Sequence, residues 1–77
     1  PLVVRCTVPA AGAVRLEVFD LSGRRVAGLL DRVVSAGELD ATWDGSDAAG
    51  AIVRPGVYLL RLAAGGRAAT ARVAVIR

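Results

Sequence analysis

Ala13-Val14-Arg15-Leu16-Glu17-Val18-Phe19-Asp20 is the stretch that decides the fold. Val14, Leu16 and Val18 alternate with Arg15, Glu17 and Phe19. A period of two places successive side chains on opposite faces of an extended strand, so one face is dry and the other wet. A parallel sheet, covered on both faces, would read as a continuous apolar run instead. Phe19 falls on the polar side of the alternation and is expected on the outer face or beneath a loop.

The same rhythm extends outward in both directions. Upstream, residues 2–8 set Val4, Cys6 and Val8 against Arg5 and Thr7, and Pro9-Ala10-Ala11-Gly12 makes a turn. Downstream, Asp20-Leu21-Ser22-Gly23 suits a type I turn, with Asp first and Gly last. Residues 24–30 form a less regular strand in which Gly28 separates Val26 from Leu30 and marks a bulge or a close backbone approach. The connection over 31–37 offers Val33-Val34 as a short added strand. Residues 38–44 alternate again, Leu39, Ala41 and Trp43 against Glu38, Asp40 and Thr42. A long loop, Asp44-Gly45-Ser46-Asp47-Ala48-Ala49-Gly50, leads to a short extended piece at 51–53 and a corner at Arg54-Pro55-Gly56. Residues 57–63 are a strong strand with Tyr58, Leu60 and Leu62 on one face. Gly65-Gly66 centres a hairpin turn because both positions accept positive φ. The last strand is expected over residues 67–77. About seven short strands with regular turn signals predict an all-β, immunoglobulin-like antiparallel β-sandwich. No segment sustains a helical period.

Seventy-seven residues make one domain, 1–77, with no second core. A domain of this size buries only about 60% of its unfolded surface, which leaves little volume for a deep cleft. The chain starts at Pro1 and is read as a fragment of a larger protein. No apolar run approaches the roughly 18 residues of a membrane helix, so no membrane span is expected.

Composition removes most catalytic chemistry. Histidine is absent, and with it the commonest general base, metal ligand and partner for a nucleophile. Neither phosphate-binding glycine fingerprint occurs. Cys6 is the sole cysteine, so no intramolecular disulfide or cysteine-rich zinc site forms. Placed among valines, it reads as a buried thiol, since reactivity needs exposed, electropositive surroundings. The formal net charge is +3, carried by ten arginines and no lysine against seven carboxylates. A basic balance favours anionic partners, but nucleic-acid binding would want aromatics clustered among the arginines. Phe19, Trp43 and Tyr58 are instead scattered, and no nucleic-acid partner is expected. Neither enzyme nor cofactor is predicted.

The long loop carries the one constellation of oxygen ligands. Asp44, Ser46 and Asp47 could hold calcium, but they fall short of the usual six to eight oxygens. The alternative is that the aspartates accept hydrogen bonds from loop amides. Trp43 ends an alternating strand and reads as the core anchor, with sugar stacking as the alternative if exposed. Tyr58, just after Pro55-Gly56, sits where a tyrosine corner would bond to upstream backbone.

These pieces occur in a telling order. Val14-x-Leu16-x-Val18-Phe19-Asp20 is followed by Gly23-Arg24-x-Val26, Gly37, Trp43-Asp44-Gly45-x-Asp47-x-x-Gly50, Gly56-Val57-Tyr58 and a final alternating strand. The order resembles the immunoglobulin-like domain of flagellar hook-capping proteins and is similar to type IX secretion C-terminal sorting domains. Trp43, Asp44, Gly45, Asp47, Gly50, Gly56 and Tyr58 are then the structural motif. The resemblance implies a non-catalytic C-terminal module of an exported bacterial protein, extracellular or at the cell surface. Its partners would be proteins, either secretion machinery or domains of the parent chain. In the sorting reading Arg72, Val73, Ala74, Val75, Ile76 and Arg77 form the recognition strand. Sorting domains commonly carry lysine there, and arginine keeps the charge but not the geometry. The alternatives are a structural spacer or assembly domain of hook-capping type, and a carbohydrate-binding accessory module.

Overall fold

The structure, a computed structural model, describes residues 2–76. Six antiparallel strands carry it: β1 (Leu2–Val8), β2 (Gly12–Asp20), β3 (Arg25–Val34), β4 (Gly37–Trp43), β5 (Gly56–Ala64) and β6 (Arg67–Val75). They form two sheets. A two-stranded sheet pairs β1 with β4, and a four-stranded sheet runs β3-β2-β5-β6. The expected sandwich is present, with six strands in place of about seven. Residues 51–53 do not make a strand; Ile52 forms a single isolated bridge to Ser46. Val33-Val34 is not separate either, because β3 runs unbroken to Val34.

Two bulges explain that length. The β2–β3 register skips Leu29 between Leu16 and Glu17, and skips Val26 between Val18 and Phe19. An extra residue bends its strand and resets which side chains face inward. A regular ladder would set Gly28 opposite Val18; the first bulge sets Ala27 there instead. Val26 and Leu30 therefore hold different places in the ladder. Leu30 lies opposite Leu16, whereas Val26 is a bulge residue. Gly28 marks the bulge by flanking its extra residue, Leu29, but no backbone approaches it closely. The space a Cβ would take there is filled by the flexible end of the Arg25 side chain.

The inward faces make one core. Cys6, Leu16, Val18, Ala27, Ala41, Trp43, Tyr58 and Leu60 form its main cluster, and Val8, Val14 and Val34 close one end. Val18 and Leu16 are 0% and 1% exposed. Enclosing side chains of this size stabilises the fold by about 1.5–3 kcal/mol each. Phe19 is half-buried, opposite Leu59 and Arg25 on the outer face of the large sheet. The two sheets differ in width, and this has a consequence at β6. By register Ala69 and Ala71 share the core side with Leu62 and Leu60, yet both are exposed. The two-stranded sheet does not reach over them.

Candidate functional site

Trp43 is 3% exposed and packs edge-on against Tyr58, with ring centroids 5.5 Å apart and planes at 68°. That edge-to-face geometry places the positive rim of one ring on the negative face of the other. The indole Nε1–H donates to the Ser46 carbonyl at 2.9 Å. A ring so enclosed has no face to offer a sugar. Tyr58 is 8% exposed, and its hydroxyl donates to the Arg54 carbonyl at 2.6 Å. This fixes the corner before β5.

The loop after Trp43 is tied down along its length. Asp44 Oδ1 accepts from the Ser46 amide at 3.0 Å and from the Ser46 hydroxyl. Asp47 Oδ1 accepts from the Ala49 and Ala51 amides at 3.0 and 2.9 Å. The Ala48 amide donates to the carbonyl of Val26, the bulge residue of β3, at 2.9 Å, and the Val53 amide donates to Gly45 at 2.9 Å. The bulge thus frees a backbone acceptor that docks the loop. The loop carboxylates turn toward their own backbone, and no group of three or more His, Cys, Asp or Glu side chains comes together among the described residues.

A relation that the sequence reading passed over is visible here. Residues 20–24 and 47–51 fold into the same five-residue loop. In each, Asp Oδ1 accepts from the amides two and four residues on: Ser22 and Arg24 at 3.0 and 2.9 Å in the first loop, Ala49 and Ala51 in the second. The Asp amide donates to the fifth residue's carbonyl, and the glycine amide donates back to the Asp carbonyl. Gly23 and Gly50 take φ of 89° and 86°, a region costly for any residue with a Cβ. The signal was Asp followed by Gly at the third position onward. Hydrogen bonds to Ser22 and Arg24 hold the Asp20 carboxyl below its ordinary range, and those to Ser46 do the same for Asp44.

The candidate recognition strand lies in β6, at the edge of the large sheet. Arg72, Val73, Ala74 and Val75 are within it, and Ile76 follows it at 88% exposure. Arg77 lies outside the described residues. Val73 and Val75 face inward beside Tyr58 and Gly56, while Arg72 and Ala74 face outward beside Leu59 and Val57. The structure brings this strand to part of the tryptophan motif. Val73–Ile76 and Leu2, Trp43, Asp44 and Gly45 line an open cleft of about 370 Å³. Asp47, Gly50, Gly56 and Tyr58 do not line it.

Charges elsewhere serve mostly as surface pairs. Arg5 meets Asp40 at 3.1 Å and Glu38 at 3.6 Å, and Arg25 meets Glu17 at 2.7 Å. Burial, helped by the charge of Asp40, pushes the Cys6 thiol up from its ordinary value. No helix among the described residues is long and apolar enough to cross a membrane.

Comparison with known proteins bears on what this arrangement is. The crystal structure of FlgD from P. aeruginosa superposes with a TM-score of 0.72 at 23% identity, covering 95% of this chain and 59% of that one. The chain therefore spans less than two thirds of that relative. The likeness shows the immunoglobulin-like fold. A search of curated proteins finds no match. The comparisons support the hook-capping half of the resemblance and lend nothing to the sorting half. The model of the FlgD Ig-like domain matches residues 3–67, most of the chain, and the protein belongs to that family.

Proposed function

We propose that the chain is a non-catalytic assembly domain of an exported bacterial protein, acting outside the cytoplasm through contacts with other proteins. The observation that carries this reading is the family match over residues 3–67. The geometry supports it. The loop carboxylates that sequence alone offers for chemistry, Asp44 and Asp47, accept from backbone amides. What remains for recognition is strand edge and sheet face, with β6 one of the exposed edges. Edges are where chains pair with chains.

A domain exchange tests it. FlgD of P. aeruginosa would carry residues 1–77 in place of its immunoglobulin-like domain, and hooks would be counted by electron microscopy beside a strain lacking that domain. Hook assembly restored above the deletion supports an assembly role. Hook counts equal to the deletion, with the exchanged protein folded and exported, speak against it.

A further inference from the structure

We propose that the outer face of the large sheet, across β2, β5 and β6, docks an amphipathic helix of a partner protein that carries Asp or Glu beside its apolar stripe. The outward rows follow from the registers. Phe19, Leu59 and Arg72 stand abreast on β2, β5 and β6, and Val57 and Ala74 stand abreast in the next outward row. Phe19 and Leu59 are half-buried, and Val57 is 41% exposed. This patch breaks the alternation of its strands. β5 buries Tyr58 and Leu60 on the core side and still turns Val57 and Leu59 outward, so it is apolar on both faces at that end. Strands apolar on both faces belong to sheets covered on both sides, and no strand among the described residues lies over this face. β2 and β5 are the inner strands of the order β3-β2-β5-β6, and their backbone groups are spent on their neighbours. A segment lying on this face therefore meets side chains and has to satisfy its own backbone. A helix does so within itself, and helix on sheet is a standard way to cover an apolar face.

Charge on the same face selects the helix. The outward charges of the four strands are Arg15, Arg25, Arg61 and Arg72 against Glu17 and Asp31. Both acids are taken, Glu17 by Arg25 at 2.7 Å and Asp31 by Arg15 at 3.6 Å. Arg61 stands opposite Glu17 and Arg72 opposite Leu59. Neither makes an ion pair among the described residues. The two are diagonal neighbours on β5 and β6, positions about 7–8 Å apart, and both border Leu59. The apolar patch is thus rimmed by two cations with no acid of this chain left for them. Acids three or four residues apart on a helix lie about 5–6 Å from each other, a spacing that two arginine side chains can meet. A second copy laid face to face would set one surplus of arginine against another, and like charges repel. The proposal deepens the protein-contact reading above and rests on it.

The test uses synthetic helical peptides of about 16 residues, long enough to hold a helix alone. Each carries a leucine stripe, flanked by glutamate in one and by lysine in the other. A third keeps the glutamates and has alanine for leucine. Each is titrated into the 77-residue chain and followed by the NMR shifts of its backbone amides. The Leu–Glu peptide should move the amides of residues 57–61 and 70–74 and bind about tenfold or more tightly than Leu–Lys, a difference of roughly 1.4 kcal/mol. The Ala–Glu peptide should lose most of that affinity. A doubly substituted Arg61→Gln, Arg72→Gln chain, changed at two exposed positions, should erase the preference for glutamate. Arg67→Gln, on the core side opposite Ala64, should leave it intact. No binding by Leu–Glu, equal binding by Leu–Lys or by Ala–Glu, shifts confined to other residues, or a preference lost with Arg67 overturns the proposal. Concentration-dependent shifts of the same amides in the peptide-free chain also overturn it, because they would put a second copy on the face. Peptide binding without hook assembly in the domain exchange would sink the assembly reading alone; hook assembly without peptide binding would sink the helix-docking face alone.

Discussion

At the scale of single residues, the stability of this domain depends on a few polar atoms that finish apolar packing. Tyr58 shows the logic. Its ring fills the space beside Trp43 while its hydroxyl meets the Arg54 carbonyl. Tyr58→Phe keeps the ring and removes the bond, and the expected cost is about 1 kcal/mol, read as a lower urea midpoint at unchanged slope. Asp20 and Asp44 give the fold its acid sensitivity. Both carboxyls titrate below their ordinary range because amides and hydroxyls bond to the ionised form. Their stabilising effect is therefore full above the unfolded value near 3.9 and is lost as pH falls through the lower folded values. The urea midpoint should hold from about pH 7 to 5 and drop below about 4. An Asp20→Asn, Asp44→Asn chain, which retains side-chain acceptors without the titration, should show a shallower drop.

At the scale of elements, the hairpin between β5 and β6 rests on Gly65 and Gly66, at φ of 58° and 75°. Both angles match a two-residue turn that follows the twist of its strands. Gly66→Val should cost about 1–3 kcal/mol through backbone strain, measured by chemical unfolding, whereas Gly65→Asn should be nearly neutral because Asn tolerates this region. This turn was legible in the sequence, as were β2, β4 and β5, because each pairs a clean two-residue alternation with a glycine signal. The inward placement of Trp43 and the corner at Tyr58 were legible for the same reason. β3 was not. Its inward residues depend on which carbonyls β2 and the loop at 44–53 require, and two bulges settle that through contacts far along the chain. Residues 51–53 look like a strand by composition but make a single bridge, Ile52 to Ser46, within their own loop. The likeness of loops 20–24 and 47–51 was hidden because an Asp and a Gly at fixed spacing are common in any turn. Exposure of β6 was hidden too, since its alternation says which side faces in and not whether anything lies above it.

At the scale of the whole molecule, a core of this size has little redundancy, and the lone thiol reports on it. Cys6 is 5% exposed, and burial disfavours its thiolate. Alkylation by iodoacetamide at neutral pH should run about tenfold or more slower than in urea-unfolded chain, because the thiolate is the nucleophile and forms in the opened state. Substitutions that weaken the core, Tyr58→Phe among them, should accelerate it in step with their loss of stability. Labelling as fast in the native chain as in the unfolded one would mean that the sandwich opens on the side of β1.

The cleft lined by Leu2 at one end of the chain and Ile76 at the other bears on how the domain is loaded. Its entry and exit lie at the same pole, so in a longer polypeptide the sandwich hangs as a pendant and not as a link in a line. Tension along such a polypeptide pulls at that pole and peels β1 from β4 starting at the Leu2–Trp43 pair, one rung at a time. A fold strung this way bears load poorly along its backbone.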